Sequence, residues 1–339
     1  MVGDRQGHAR QNRMSRSDRS EAPAGRPRPA ANWPYRTTPR SARLIGIFRW
    51  GSFVDARFWL IQAFNGVSYG ALLFLVGSGL SLIFGVMRIV NLSHGSYFLL
   101  GGYVALTVIW TTGSWLLAIP IAALAIGAVG LVMERVFLRP LGFDPLRQVL
   151  LTVGFAFLFQ QAALDIWTGN NFDIEPPDFL KKSIQVGGLY LPSYRIFMIC
   201  SAALIGLALW LAMEKTRIGA AVRATVDDAQ MARGVGIDTS RISMLIFSLG
   251  AFLAALGGVI GGAFLGVYPG LDFEILPLAF AVVIIGGMGS LGGAAIGALL
   301  VGLADNFGKA LFPEVSYFTL YAPMALILAI KPTGLFGRE

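Results

Sequence analysis

The chain has 339 residues, 55% hydrophobic and 14% charged, with a net charge of +8 and a mean hydropathy of +0.66. Soluble domains carry about 25% charged residues, so this composition excludes an ordinary water-soluble globule and places most side chains in lipid. Two histidines and one cysteine leave no material for a metal cluster or an internal disulfide.

Residues 1–57 form an Arg/Pro-rich tail, predicted to be disordered. They hold 12 arginines against four acids, Asp4, Asp18, Glu21 and Asp55. Two readings stay open for the tail: an arm near anionic headgroups, or residues preceding the true start. Nucleic-acid binding is set aside, because the basic excess lies in this tail and belongs to no patterned segment. No signal-peptide pattern is present.

Residues 58–339 read as one transmembrane domain. Eight apolar elements are expected, at 58–84, 95–112, 114–133, 147–168, 194–212, 242–266, 275–303 and 317–330. Several approach the roughly 20 residues that cross a 30 Å hydrocarbon core. Backbone polar groups cannot stay unpaired in lipid, so the elements are helices. The fold class is an all-α polytopic membrane protein.

Loop charge orients the chain. The 134–147 loop carries Arg135, Arg139 and Arg147; the 213–241 loop carries Lys215, Arg217, Arg223, Arg233 and Arg241. Both are assigned to the cytoplasm. The 169–193 and 267–274 segments hold acids and few bases and are read as external loops. Counting spans back puts the tail outside, against the charge rule, and the tail's side is left open.

Two regions are interrupted by glycine. Residues 80–102 contain Gly85, Arg88, Asn91, His94 and Gly95; residues 275–303 contain Gly286, Gly287, Gly289, Gly292 and Gly293. Broken segments in both halves suit a transporter built from repeats, and close packing at glycines explains them equally. The second region is either one kinked span or a pair of segments dipping in and back. The pair keeps Lys331 inside, as the charge rule prefers. Asn91 and Ser93 precede an apolar run and are read as helix-capping residues or, in a functional reading, Asn91, Ser93 and His94 line a gate or the mouth of a pathway, together with Gly286, Gly287 and Gly289.

No catalytic triad is visible. No G-x-x-x-x-G-K-[ST] phosphate loop occurs; the nearest approach, GLADNFGKA at 302–310, has the wrong spacing and ends in Ala310 where Ser or Thr must bind magnesium. No acid is expected in mid-membrane, which argues against proton or sodium coupling. Between two apolar runs lies ATVDDAQMARGVG, 224–236. A helix over 225–231 is expected, with Ala229 and Ala232 on one face. Gly234 and Gly236 stop it, and Thr239 or Ser240 caps the next span. This is either a solvated loop or a cytoplasmic coupling helix that docks on another protein.

Asp228-Ala229-Gln230-x-x-x-Gly234 resembles the segment with which ABC importer permeases dock on their ATPase; Gln230 replaces the usual small residue and the Leu-Pro that often follows is absent. Further segments resemble permeases of branched-chain amino acid importers of the LivH type: NGVSYGALLFL at 65–75, LIFGVMRIVNLSHG at 82–95, KTRIG at 215–219, RATVDDAQMARGVGID at 223–238, VIIGGMGSLGGAAIG at 283–297 and KPTG at 331–334. They cover roughly 63–337, in the family's order. The resemblance implies a second permease subunit, two ATP-binding subunits and an external solute-binding protein, in a bacterial inner membrane. It implies ATP and magnesium on the partners, no cofactor on this chain, and docking through Asp228, Ala229, Gln230, Gly234 and Gly236. Branched-chain or other small amino acids are the implied substrates. Related permeases handle urea or short amides, and an ion-coupled carrier or a channel is the alternative of another class.

Overall fold

The structure, a computed structural model, describes residues 56–337 apart from Phe143 and Pro332. Apart from its last two residues, the expected tail lies outside the described residues.

Eleven α-helices are present among the described residues: α1 (Ala56–Met87), α2 (His94–Thr112), α3 (Trp115–Val132), α4 (Pro145–Trp167), α5 (Ser193–Lys215), α6 (Arg217–Asp227), α7 (Ala229–Gly234), α8 (Thr239–Leu265), α9 (Leu271–Gly286), α10 (Leu291–Leu311) and α11 (Ser316–Ile330). A hairpin of β1 (Ser183–Val186) and β2 (Leu189–Pro192) lies between α4 and α5. Among the described residues, six helices are long and apolar enough to span a membrane: α1, α3 with its continuation to Leu141, α4, α5, α8 and α10. With 16 residues at 1.5 Å each, α9 reaches only about 24 Å, less than the hydrocarbon thickness.

Helices α1 and α8 form the centre, with 72% of each apolar window buried, against 17% for α4. They run antiparallel: Gly79 lies against Gly250, Val76 against Gly257 and Leu72 against Gly261. Helix α10 also runs antiparallel to α1, from Gly289 beside Gly85 to Gly302 beside Gly66 and Gly70. Small residues let these backbones approach closely, which replaces the hydrophobic drive that lipid removes.

The structure decides between the two readings of one element and corrects two expectations. The 275–303 element is two antiparallel helices, α9 and α10, joined by a turn at 287–290, where Ser290 caps α10 by accepting from Gly293 N. The 267–274 stretch is not a loop throughout: α9 begins at Leu271, so Asp272 and Glu274 are helical. Asp272 is only 2% exposed and packs on Gly95 and Ser96 at the start of α2 inside the bundle, against the expectation of no acid in mid-membrane. The 88–93 segment returns the chain into the bundle, because His94 at the start of α2 lies level with Val76 and Gly79 in the middle of α1.

Bases gather at one end of the bundle: Arg88 follows α1, Arg135 and Arg139 follow α3, and Lys215, Arg217, Arg223, Arg233 and Arg241 surround α6 and α7. By the positive-inside rule this end is cytoplasmic. The C-terminal segment joins it, since Leu335 N and Phe336 N donate to the carbonyls of Ile285 and Gly286. Lys331 therefore sits at the basic end, as the paired reading of 275–303 requires.

Candidate functional site

The polar segment at the basic end folds as an elbow. Thr216 caps α6 by accepting from Gly219 N at 3.0 Å. At Gly219 any side chain would overlap the carbonyl of Met213, so the corner between α5 and α6 requires glycine. The expected helix over 225–231 is broken at Asp228. Its backbone is extended (φ −151°, ψ 104°), and its Oδ1 accepts from Gln230 N at 2.8 Å and Met231 N at 2.9 Å. An extended N-cap aspartate that satisfies two orphan donors starts a new helix at once, and α7 follows.

Gly236 ends α7 in the left-handed region (φ 90°). Ile237 N donates to the Ala232 carbonyl and Gly236 N to the Arg233 carbonyl, the paired bonds of a Schellman cap. Asp238, not Thr239 or Ser240, then caps α8, accepting from Arg241 N at 3.1 Å.

The face of the elbow differs from expectation. Ala232 is 3% exposed and packs inward, and Ala229 is half-buried. The exposed surface is made by Gln230, Arg233, Gly234 and two apolar residues, Met231 at 65% and Val235 at 71% exposure. Apolar side chains four residues apart on one helical turn form a small projecting ridge. The sequence motif pointed to the small residues; Met231 and Val235 were the missed signal, visible as apolar positions inside a polar segment. Nothing lies within 4 Å of the place a side chain on Gly234 would occupy.

Behind the elbow a cavity of about 940 Å³ opens between the ends of α1 and α5, helix α6, the α9–α10 turn and Thr333–Gly337. Its wall includes Arg88, Glu214, Arg223 and Asp227 among apolar Leu82, Val86 and Trp210. Gly289 and Ser290 line it too. A groove of about 250 Å³ follows the same α1, α5 and α10 seam farther from the basic end, lined by Gly70, Phe74, Ala202, Gly206 and Leu299 among others. Nearer the opposite end, Arg195 donates to Ser68 Oγ at 3.2 Å and lies over the Phe264 ring, and Lys309 pairs with Asp305 at 2.7 Å. In the α8–α9 connection, Tyr268 donates to Glu274 at 2.8 Å. Burial first, and this bond second, push its hydroxyl up to about 12.

The remaining gate candidates separate. Asn91, Ser93 and His94 are all 0% exposed and line neither cavity. Ser93 does not cap α2 with its side chain; its N–H and hydroxyl donate to Asn91 Oδ1 at 3.1 and 2.7 Å. Gly286 packs on Gly293 inside the α9–α10 hairpin, and Gly287 (φ 102°) faces the backbone of Gly337. Of the three glycines, Gly289 alone borders the cavity.

Among the described residues no group of three or more His, Cys, Asp or Glu could hold a metal. A polar pair lies in the core instead. Ser96 donates to Asp272 Oδ2 at 3.2 Å, and Gly95 packs so closely on the Asp272 carbonyl that a side chain there would overlap it. Helices α2 and α9 therefore start back to back inside the bundle, with one carboxylate at the two positive helix ends.

The profile of a family described as "Branched-chain amino acid transport system / permease component" matches residues 62–328. The high-affinity branched-chain amino acid transport system permease protein LivH of Salmonella typhimurium is 32% identical over 302 residues, covering 83% of this chain and 96% of that protein. BraD of Pseudomonas aeruginosa, a permease protein of the same description, is 29% identical over 295 residues, 83% of this chain and 96% of its own length. LivM of Salmonella typhimurium is 26% identical over 288 residues, 77% of this chain and 67% of LivM.

Proposed function

The chain belongs to the branched-chain amino acid permease family of ABC importers and is a multi-pass inner-membrane transport subunit, and on that footing we propose that it moves branched-chain or other small amino acids handed over by an external solute-binding protein. The relatives bearing the matching name transport branched-chain amino acids, which favours that substrate class. ATP and magnesium are bound on two partner ATPases, and this chain holds no cofactor.

The observation that carries the reading is the elbow. It is rigidly built, by Asp228 at one end and the Gly236 cap at the other, yet it presents Met231 and Val235 to the cytoplasm. A rigid tip with an exposed apolar ridge suits a groove on a motor subunit. Asp228, Ala229, Gln230, Gly234 and Gly236 shape that tip, and Met231 and Val235 are its contact residues. Because α6 and α7 are joined at Asp228 to the end of α5 and the start of α8, displacement of the tip bears on both spans. Closure of the ATPases then acts on the bundle as a rigid-body movement.

The solute route runs along the α1–α5–α10 seam, from the Arg195 and Lys309 end, past the apolar groove, into the basic-end cavity. The second permease, a related chain of the LivM kind, supplies the opposite wall. Co-purification of ATPase with wild type and with Met231→Asp tests the docking reading directly. Association lost in the variant, with normal membrane insertion, is expected; unchanged association contradicts it.

Ion coupling through Asp272 has less support. Its Oδ2 accepts from Ser96, and it borders neither cavity.

A further inference from the structure

Arg88 stands out in the basic-end cavity on two independent counts. Its backbone is in the left-handed region (φ 54°); the only other described non-glycine residue there is Thr168. Such a conformation costs on the order of 1 kcal/mol and persists where the surroundings hold it, often at functional sites. Its side chain, on the cavity wall, makes no ion pair or side-chain hydrogen bond among the described residues. A guanidinium cannot discard its charge, so an unpaired one in a lined cavity is available to an anion.

The neighbouring charges are disposed differently. Arg223 is committed: it donates to the Met213 carbonyl and lies 3.8 Å from Glu214. That ion pair is long, and the Glu214 side chain is 48% exposed, so one carboxylate on the wall remains accessible. Between the charges the wall is apolar, with Leu82, Val86, Trp210 and Val222. Two cations and two acids, of which Arg88 is unpaired and Glu214 only loosely paired, stand with an aliphatic surface in a cavity of about 940 Å³; this suits a small apolar zwitterion, and the volume lies within the range of ligand sites.

We infer that this cavity is a release-side α-amino-acid site, in which Arg88 takes the solute's carboxylate, Glu214 its ammonium, and the Leu82–Val86–Trp210 wall its alkyl chain. The inference rests on the transport of amino acids proposed above. It assigns Arg88 a specificity role and has a regulatory consequence: a solute accumulated in the cytoplasm occupies the site and holds the cavity open to that side, slowing further import.

The experiment uses the complete importer in proteoliposomes, with ATP and magnesium in the lumen and binding protein with labelled leucine outside. The initial uptake rate is measured against unlabelled leucine preloaded in the lumen. Wild type is expected to slow as luminal leucine rises, and Arg88→Ala to need roughly tenfold more leucine for the same slowing, the worth of one charged hydrogen bond. Arg88→Lys is expected to fall between them. Wild type preloaded with leucinamide, which lacks the carboxylate, needs no variant and is expected to show little slowing. Absence of slowing in wild type, equal slowing by leucine and leucinamide, or identical curves for wild type and Arg88→Ala overturns the site. Failure of wild type to import leucine at all overturns the substrate reading instead, so the two failures are distinct.

Discussion

His94 Nε2 lies 3.0 Å from the carbonyl oxygen of Val76, eighteen residues earlier in the chain. A carbonyl only accepts, so Nε2 carries the proton and donates. The bond ties the start of α2 to the middle of α1 and makes the Asn91-Leu92-Ser93-His94 turn a part of the core.

His94→Ala is accordingly expected to lower the stability of the purified permease by about 1–3 kcal/mol, through a lost buried hydrogen bond and lost packing. The KM for leucine is expected to stay at the wild-type value. A thermal melt paired with uptake kinetics checks both; unchanged stability with a raised KM would return His94 to the pathway.

Asp228 acts through its carboxyl oxygen as a backbone acceptor. Asp228→Asn keeps that acceptor and is expected to retain ATPase association. Asp228→Ala loses a cap worth about 1 kcal/mol and is expected to weaken association several-fold. Equal behaviour of the two variants in a pull-down contradicts the capping role.

Gly234 faces open space, so Gly234→Arg meets no obstacle within the chain. Normal insertion and a normal melting temperature are expected, with ATPase association abolished by the bulk added beside Met231 and Val235. Full association and uptake would show the elbow to be an ordinary loop.

Gly287 and Gly154 separate packing from pathway. Gly287 combines positive φ with overlap on the Gly337 backbone, whereas Gly154 in α4 has nothing within 4 Å. Gly287→Ala is expected to cost about 1–3 kcal/mol of stability. Gly154→Ala is expected to be neutral or slightly stabilising. Comparable stability of both variants would remove the packing role of Gly287.

Hydropathy made most of the bundle legible, because apolar length alone marks α1, α3, α4, α5, α8 and α10. The α9–α10 turn was legible as glycines, and loop charge chose between its two readings. What failed depended on contacts between distant residues. An acid near an apolar run looks solvated, yet Ser96 and the backbone at Gly95 bury Asp272. The KPTG and GGMG segments gave no sign that they meet, although Gly334 and Gly287 pack backbone to backbone. In the elbow the motif was visible but its working face was not: Asp228 breaks the helix, which turns Ala232 inward and leaves Met231 and Val235 outside.

The most direct test of the central claim is leucine uptake into proteoliposomes holding this chain, its partner permease and the two ATPases, with the binding protein outside. Uptake is expected only when ATP, ATPases and binding protein are all present, and is expected to vanish in Gly234→Arg. Leucine uptake by this chain alone, driven by a proton or sodium gradient without ATP, would contradict the account.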